Sequence, residues 1–336
     1  MKRKILLVAL GLLLLATAYC AVQRRCAEGR AIPVLMYHGV EDAPEGDVWT
    51  VSTADFRRQL EWLRDAGYTT LLPEDVVRIR KGWGFLPRKP VILTFDDGYR
   101  NNHTTAEPVL REFGMKAICY LILGHVEDSD ETRSSYRGRP NLTWEEVREM
   151  QKAGTFAFGI HSISHTPNLQ AQAAEVQPAR HVFRAKTGRK CRSYCYPNGV
   201  SGEAVYDAVR RKGRYTTSMS CGDTLFVYAK DADLYRIPRL SVYGGTRDVP
   251  LSLAQEDGAW CATASCQGKR LRATMALREP SGTLLFATEG VKKVGSEPKS
   301  FTWPQEALKG VDVAACELIF CDATGTIVYA RRKPGE

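Results

Sequence analysis

The chain has 336 residues, of which 44% are apolar, and it carries a formal net charge of +9. A chain of this length and composition can bury a large core, so it is globular rather than disordered, and its length favours about two domains. The basic residues are scattered, and no basic helix is interleaved with aromatic residues, so the sequence does not predict nucleic-acid binding.

The first residues have the features of an export signal. Residues 2–4 are basic and precede an apolar run that begins at Ile5, and small residues follow at 16–18 in the pattern of a signal-peptidase site. We therefore predict that residues 1–22 are a signal peptide or membrane anchor, and that the body of the protein is periplasmic or at the cell surface. Cleavage, lipidation at Cys20 and retention as an anchor all stay open. Retention is included because the apolar run has the length of a short spanning helix.

Ten cysteines fit that location, because exported proteins can form disulfides. Cys261 with Cys266 and Cys316 with Cys321 are close in sequence, but the sequence does not determine which cysteines pair. Cys119 lies inside an apolar run, which predicts a small buried hydrophobic residue.

Residues 32–242 alternate short apolar runs with stretches of helical periodicity. This pattern is typical of parallel strands covered by helices, arranged as a barrel or as an open doubly wound sheet. Helices are predicted over 52–65, from the capping box at Thr143 to the residue before Gly154, and over 202–212. Strands are predicted at 33–37, 91–95, 116–123, 156–160, 192–196 and 214–219.

Polar side chains follow three of these predicted strands. His38 follows the first strand, Asp96 and Asp97 follow the second, and His161 follows the strand at 156–160. In both α/β arrangements, reactive groups gather at the carboxyl ends of the strands. The sequence therefore predicts a functional site at this edge of the sheet.

The residue types predict a hydrolytic metal site. Adjacent carboxylates at a strand end point to opposite sides of the backbone, so one can bind a metal while the other moves protons. His161 and His165, four residues apart, supply two further ligands. Three nitrogen and oxygen ligands with one open position are typical of centres that activate water.

A third segment follows the predicted strand at 192–196. Pro197 and Gly199 mark a tight turn after it. We expect the backbone N–H of Tyr196 to face a substrate carbonyl, and we expect Arg192 to pair with a carboxylate such as Asp96.

With these three motifs, at 94–98, 161–165 and 192–199, the sequence resembles the polysaccharide deacetylases of carbohydrate esterase family 4, the NodB-homology group. The resemblance covers roughly residues 31–242. It implies a (β/α) barrel-like fold, distorted or incomplete, that hydrolyses N-acetyl groups and releases acetate.

The resemblance also implies a role for each motif residue. Asp97, His161 and His165 would hold a divalent metal, zinc in most members with nickel or cobalt as alternatives, and Asp96 would be the general base. Arg192 would orient Asp96, and the Tyr196 N–H would stabilise the oxyanion.

One family feature is missing. Members usually carry their general acid on a late Leu-x-His motif, but no histidine follows His181 in this chain. Residues 33–40 resemble the first strand of the biofilm-type deacetylases that act on β-1,6-linked poly-N-acetylglucosamine, in which an early histidine replaces the late one. The resemblance therefore implies His38 as the general acid. The segment 233–239 resembles the closing strand of the same subgroup, and we assign it contacts in the wall of the site but no chemistry. Substrate contacts are predicted for Tyr37, Pro197, Gly199 and Arg236.

The composition changes after residue 243 to short strand-like runs separated by turns. We predict a deacetylase domain over 27–246 and a small all-β domain over 250–336. The second domain would bind substrate, dock an envelope or secretion partner, or cover the first domain.

Three functions stay open on the sequence alone. The first is metal-dependent N-deacetylation of an exported polysaccharide that contains N-acetylglucosamine. The second is a catalytically weak or inactive glycan-binding or assembly protein, which the missing late histidine suggests. The third is an O-acetyl esterase of the xylan type, because the chemistry at the carbonyl is the same.

Overall fold

The structure is a computed structural model. It describes residues 27–42, 47–244, 249–266 and 271–334, so the predicted segment 1–22 lies outside the described residues. The chain folds into two compact units. The described parts of unit 1 are residues 27–36, 68–103 and 114–241, and those of unit 2 are 37–42, 47–67, 104–113, 242–244, 249–266 and 271–334.

Unit 1 is built on an eight-stranded sheet flanked by helices. Its strands are β1 (Val34–Tyr37), β2 (Thr69–Thr70), β3 (Pro90–Phe95), β4 (Ala117–Leu121), β5 (Phe156–Ile160), β6 (Ser193–Cys195), β7 (Thr217–Met219) and β8 (Leu240–Ser241). They lie in the order β7-β6-β5-β4-β3-β1-β8, and β2 pairs with β3. The pairs from β3 to β7, and β8 with β1, are parallel. All residues of β3 and β4 are buried, as expected for strands covered on both faces.

The sheet curves into an incomplete barrel. The irregular segment 234–237, which comes shortly before edge strand β8 in the chain, hydrogen-bonds to the other edge strand, β7. In this segment the Leu234 carbonyl accepts from the Ser218 N–H at 2.8 Å, and the Ile237 N–H donates to the Ser218 carbonyl at 3.0 Å. The predicted distorted, barrel-like α/β fold is therefore confirmed.

Most predicted strands are present but shorter than the apolar runs that predicted them. The run at 214–219 forms only β7, because Arg214 has a left-handed backbone with φ of 51°, which interrupts extended structure. The predicted helix at 202–212 divides into a short α-helix and a π-helical turn, Ala208–Lys212.

The helices are α1 (Thr53–Asp65), α2 (Pro73–Arg80), α3 (Glu107–Glu112), α4 (Trp144–Ala153), α5 (Leu169–Thr187) and α6 (Glu203–Asp207). The capping box of α4 is present: Thr143 Oγ1 accepts from the Glu146 N–H at 3.3 Å, and Glu146 Oε2 accepts from the Thr143 N–H at 3.0 Å. Helices α2, α3 and α5 were not predicted from the sequence; α5 carries an internal Pro178 and few large apolar residues.

Unit 2 contains α1, α3 and the C-terminal strands β9 (Leu251–Glu256), β10 (Ala259–Ala264), β11 (Leu271–Arg278), β12 (Leu284–Phe286), β13 (Lys292–Val294), β14 (Lys299–Pro304), β15 (Glu317–Cys321) and β16 (Val328–Arg332). They form two antiparallel sheets, in the orders β9-β10-β14 and β12-β11-β15-β16, with β13 paired to β11. The predicted all-β character of this region is confirmed.

Helix α1 packs on the C-terminal strands within unit 2. The Trp62 indole N–H donates to the Gly325 carbonyl at 3.2 Å, and the Arg331 guanidinium lies 2.7 Å from the Glu61 carboxylate. The compact unit therefore combines a helix of the predicted 27–246 domain with the strands of the predicted 250–336 domain. Those two domain limits remain predictions from the sequence.

All eight cysteines in the described part of the chain are free thiols, while Cys20 and Cys26 lie outside it. Cys119 is fully buried, as its apolar run predicts. None of the helices in the described ranges is both long and apolar enough to cross a membrane.

Candidate metal centre

Three predicted ligands meet at the carboxyl ends of β3 and β5. The ligand atoms of Asp97, His161 and His165 all lie within 4.8 Å of one another. Asp97 Oδ1 is 3.8 Å from His161 Nε2 and 3.9 Å from His165 Nε2. Asp97 and His161 are 4% and 2% exposed. Motifs that are distant in the sequence thus form one compact cluster in unit 1.

Each histidine has a partner on the ring nitrogen that faces away from Asp97. His161 Nδ1 is 2.9 Å from the Cys195 carbonyl, so it carries a proton and leaves Nε2 as the metal-facing lone pair. His165 Nδ1 is 3.1 Å from the Tyr136 hydroxyl. These bonds orient both rings before any ligand binds.

The site is held in an uncommon backbone conformation. Asp97, Ser162 and His165 have φ of 70°, 66° and 52°, the left-handed region that non-glycine residues rarely adopt. Two side-chain contacts support it: the Asn141 amide donates to the Asp97 carbonyl at 2.8 Å, and Ser162 Oγ accepts from the His165 N–H at 2.9 Å. The adjacent residue must be Gly98, since a Cβ there would lie 2.8 Å from Leu121.

The loop between the two histidines is fastened to helix α5. The Glu175 carboxylate accepts from the backbone N–H groups of Ile163 and Ser164 at 2.9 and 3.1 Å. It also accepts from the Ser164 hydroxyl at 2.5 Å. This carboxylate therefore fixes the spacing of His161 and His165.

Electrostatics in the cluster match a cation site. Burial, and then the neighbouring Asp96, raise the pKa of Asp97 to about 7. Burial, and then His161, lower the pKa of His165 to about 4, so its imidazole is neutral near pH 7. A divalent cation would favour the ionised Asp97 and the neutral histidine, and would release a proton on binding.

The donors fit a divalent ion in number, type and spacing. Two imidazole nitrogens and one carboxylate oxygen are the ligands of many hydrolytic zinc sites. Neighbouring donors of a tetrahedral ion with bonds of about 2.1 Å lie about 3.4 Å apart. The observed separations of 3.8 and 3.9 Å need only a small contraction to reach that value.

Asp96 is held by a residue that the sequence analysis did not choose. Arg239 is fully buried, and its two terminal nitrogens donate to the two carboxylate oxygens of Asp96, each at 2.7 Å. The predicted partner, Arg192, is exposed and makes no bond to Asp96, so that prediction is wrong. Arg192 precedes β6, at the amino end of the sheet, whereas Asp96 follows β3 at the carboxyl end.

The Cys195 thiol completes the surroundings of Asp96. It is fully buried, and its sulfur lies 3.6 and 3.7 Å from the Asp96 oxygens and 3.1 Å from an Arg239 nitrogen. Burial raises the pKa of this thiol well above its usual range, so the thiol is neutral. Cys195 also forms a second donor cluster with Asp96 and His161, again within 4.8 Å.

The segment after β6 has a structural role that the sequence analysis did not foresee. The Tyr196 N–H already donates to the Met219 carbonyl at 3.1 Å, so the expected free oxyanion donor at this residue is wrong. Pro197 is buried. Gly199 has φ of 69°, and a Cβ there would lie 2.4 Å from the Cys221 sulfur, which explains the glycine.

Two other predicted substrate contacts lie elsewhere. Tyr37 is fully buried, and its hydroxyl donates to the Gln59 amide oxygen at 2.9 Å, so it does not line an open cleft. Arg236 is on the surface, where it pairs with Glu203 at 2.6 Å and lies 3.9 Å from the Tyr206 ring centroid. The burial of Tyr37 contradicts its expected role, whereas the substrate contact of the accessible Arg236 stays a prediction.

His38 lies in unit 2, within an aromatic cluster. Its ring centroid is 4.9 Å from that of Trp49, and Trp49 is 5.1 Å from Tyr243. The assignment of His38 as general acid remains a prediction.

The residues that sequence reasoning missed share one property: their partners are distant in the chain. Arg239 immediately precedes β8, and its position in an otherwise apolar segment was a signal, because a buried arginine requires a buried carboxylate. Tyr136 lies on a small hairpin, Ser135–Tyr136 and Arg139–Pro140, that has no recognisable motif.

A family model described as polysaccharide deacetylase matches residues 85–216 of the chain. This range contains the three ligands and Asp96, and it ends before Arg239.

Two relatives are similar over parts of their length. YxkH of Bacillus subtilis is 28% identical over 223 residues, which cover 64% of this chain and 72% of that protein. The poly-β-1,6-N-acetyl-D-glucosamine N-deacetylase of Escherichia coli is 30% identical over 158 residues, 45% of this chain but only 23% of that protein. The similarity to the second relative therefore covers less than a quarter of that protein's length.

A solved structure has the same architecture. BC0361, a polysaccharide deacetylase from Bacillus cereus, aligns with a TM-score of 0.54 at 26% identity, over 64% of this chain and 65% of that chain. The alignment therefore covers about two thirds of each molecule.

Proposed function

We propose that the chain is a polysaccharide deacetylase, a hydrolase that removes N-acetyl groups from an exported polysaccharide containing N-acetylglucosamine and releases acetate. The observation that carries this proposal is the convergence of Asp97, His161 and His165 beside an Asp96 that is held separately by Arg239. The arrangement separates three ligands from one carboxylate that can take a proton.

Asp97, His161 and His165 would hold a divalent ion, with zinc expected and nickel or cobalt as alternatives. The chemistry supplied by such an ion is Lewis acidity toward the acetyl carbonyl and activation of water. The second contacts of the histidines, to the Cys195 carbonyl and the Tyr136 hydroxyl, keep both imidazoles in orientation for this role.

Asp96 would be the general base that takes a proton from the attacking water. Arg239 donates to both of its oxygens, and a guanidinium has no acceptor atom, so the pair requires Asp96 as an anion. The lone pairs not used by Arg239 remain to accept the proton. The two-point contact also fixes the direction of the carboxylate, on which efficient proton transfer depends.

We propose His38 as the general acid that donates a proton to the leaving nitrogen. With this step the reaction balances: water and the amide give acetate and an amine. The support for His38 is the resemblance of residues 33–40 to the first strand of the biofilm-type deacetylases.

We also propose that the protein acts outside the cytoplasm, in the periplasm or at the surface, and that residues 1–22 contact the membrane. Pro197 and Gly199 remain proposed substrate neighbours through the turn they form. An envelope or secretion partner that binds the C-terminal strands is part of the same proposal.

The test is acetate release by the full chain from β-1,6-linked N-acetylglucosamine oligomers, before and after chelation and metal restoration. We expect turnover to be lost with chelator and restored by zinc. Asp96→Asn and His38→Ala should each lower turnover about 10²–10⁴-fold, the usual cost of removing a proton-transfer group. The surface variant Asp128→Asn serves as the matched control, since Asp128 is exposed and, among the described residues, its ion pair is with Lys186.

The outcomes separate the competing functions. Turnover by Asp96→Asn at the wild-type rate would overturn the assignment of the base. Faster release from O-acetylated xylan oligomers would favour the esterase. Polymer binding by the metal-free protein, without acetate release under any metal, would favour a glycan-binding protein.

A further inference from the structure

Unit 1 has a second candidate site at the amino ends of the strands, at the opposite end of the sheet from the candidate metal centre. A cavity of about 500 Å³ lies where helix α5 ends and where β6 and β7 begin. Six basic residues line it, and we call it the basic cavity: Arg180, Arg184, Lys190, Arg211, Lys212 and Arg214. The candidate metal centre lies at the carboxyl ends of the strands, so the two sites are distinct.

The charge in the basic cavity is almost uncompensated. Within the described part of the chain, no Asp or Glu lines the cavity. Arg211 pairs with Asp207 at 3.3 Å, but no ion pair with a carboxylate occurs for the other five cations among the described residues. Glu74 acts electrostatically on Cys191 but is not a lining residue. Cations gathered without counter-charges attract a multivalent anion.

Arg180 is the deepest of these cations. Its guanidinium lies 5.8 Å from the Tyr215 ring centroid, and its Nε is buried with no hydrogen-bond partner. Among the described residues, the Arg180 guanidinium is therefore not committed to a carboxylate or to a protein acceptor at Nε. Cys191 at the cavity wall adds no negative charge, because burial raises the pKa of its thiol to about 12.

We infer that the basic cavity binds a phosphoryl group. Four arginines present planar donor forks that suit the tetrahedral oxygens of phosphate, and Lys190 and Lys212 add point charges. A phosphate brings up to two negative charges and several acceptor oxygens to these cations, whereas a carboxylate brings one charge and two oxygens. The group comes from the headgroup of an anionic phospholipid or from soluble phosphate.

The experiment has two arms and uses the full chain at low salt. Inorganic phosphate is titrated by calorimetry, and vesicles of phosphatidylcholine with or without phosphatidylglycerol are tested by co-sedimentation. The site variant is Lys190→Glu with Lys212→Glu. The matched control is Lys81→Glu with Arg88→Glu, an equal charge change at exposed residues outside the cavity.

We expect the site variant to lose at least about tenfold in phosphate affinity, or in the increment caused by phosphatidylglycerol, while the control keeps wild-type binding. Binding of phosphate alone identifies a soluble ligand, and binding in the vesicle arm alone identifies a headgroup; either supports the site. Binding in neither arm, or an equal loss in the control, overturns it. A third variant, Arg180→Gln, should weaken binding in the same arm.

Discussion

The two ends of the parallel sheet in unit 1 treat charge in opposite ways. At the carboxyl ends, Asp96 and Asp97 are 2% and 4% exposed, and Asp96 is paired with the buried Arg239. At the amino ends, most cations of the basic cavity are exposed and have no carboxylate partner among the residues that the structure describes. An unpaired buried charge is costly, so it must be paired in the folded protein, whereas water can solvate an exposed charge until a ligand binds. The charges at the carboxyl ends of the strands are therefore neutralised within the fold, whereas we expect those at the amino ends to be neutralised by a bound ligand.

The largest expected effect is on stability, and it comes from removing the buried Asp97 carboxylate. Its pKa is raised to about 7, so the folded metal-free protein keeps a proton that the unfolded chain loses from about pH 4. Stability of the metal-free wild type therefore falls as the pH rises from about 4 to about 7, and then levels off. We expect Asp97→Asn to raise the free energy of unfolding by about 2–4 kcal/mol above pH 8, measured by urea titration.

The same variant must lose metal binding, which elemental analysis after reconstitution would measure. Asp128→Asn is the control, since an exposed carboxylate should change neither quantity. Equal free energies of unfolding for wild type and Asp97→Asn at pH 8 would show that burial does not destabilise the ionised Asp97 carboxylate.

The second effect concerns the pairing of Asp96. Arg239→Met removes both bonds that orient the base, and we expect turnover to fall about 10²-fold. Arg192→Met should leave turnover within about twofold, because Arg192 is exposed and makes no bond to Asp96. Acetate release, measured where circular dichroism shows intact folding, compares the two. Arg239→Lys keeps the charge but not the two-point contact, and an intermediate rate is expected; equal losses at Arg192 and Arg239 would contradict the assignment.

A smaller effect is expected at the second contact of a ligand. Tyr136→Phe removes the hydroxyl 3.1 Å from His165 Nδ1, which should lower metal affinity about tenfold. Competition with a chromogenic chelator measures this affinity. Tyr206→Phe is the matched control, because its hydroxyl bonds only to Asp233 on the surface. A similar affinity for both variants would remove Tyr136 from the site.

The smallest effect is expected at the amino end of the sheet. Arg184→Gln with Lys212→Gln should change the free energy of unfolding by less than about 0.5 kcal/mol per residue, since both side chains are exposed and unpaired with carboxylates. Urea titration beside Lys81→Gln with Arg88→Gln measures this. A loss above about 2 kcal/mol would mean that these cations stabilise the end of helix α5 and do not await a ligand.

Local patterns were sufficient for the parts of this molecule that depend on neighbours in sequence. The Asp96-Asp97 pair, the two histidines and the capping box at Thr143 are each contained in a few residues, and each lies where the sequence predicts. The partner of Asp96 was not predictable in this way, because Arg239 reaches it only through the pairing of β8 with β1, next to β3. Helix α5 was missed because its apolar stripe is weak and interrupted by Pro178.

The Tyr196 expectation failed for a related reason. A turn signal gives the position of a bend but not which N–H groups the neighbouring strand already uses. The Met219 carbonyl of β7 takes the Tyr196 N–H, and only the parallel pairing of β6 with β7 reveals it.

The buried sulfur of Cys195 bears on which ions this protein tolerates. Its donor cluster with Asp96 and His161 shares the His161 imidazole with the candidate metal centre. A soft ion such as copper(I) prefers sulfur ligands. If it bound to Cys195, it would also occupy Asp96, the proposed base, and His161, a proposed metal ligand. We therefore expect thiophilic metals to lower the proposed turnover by occupying Asp96 and His161, without contacting Asp97.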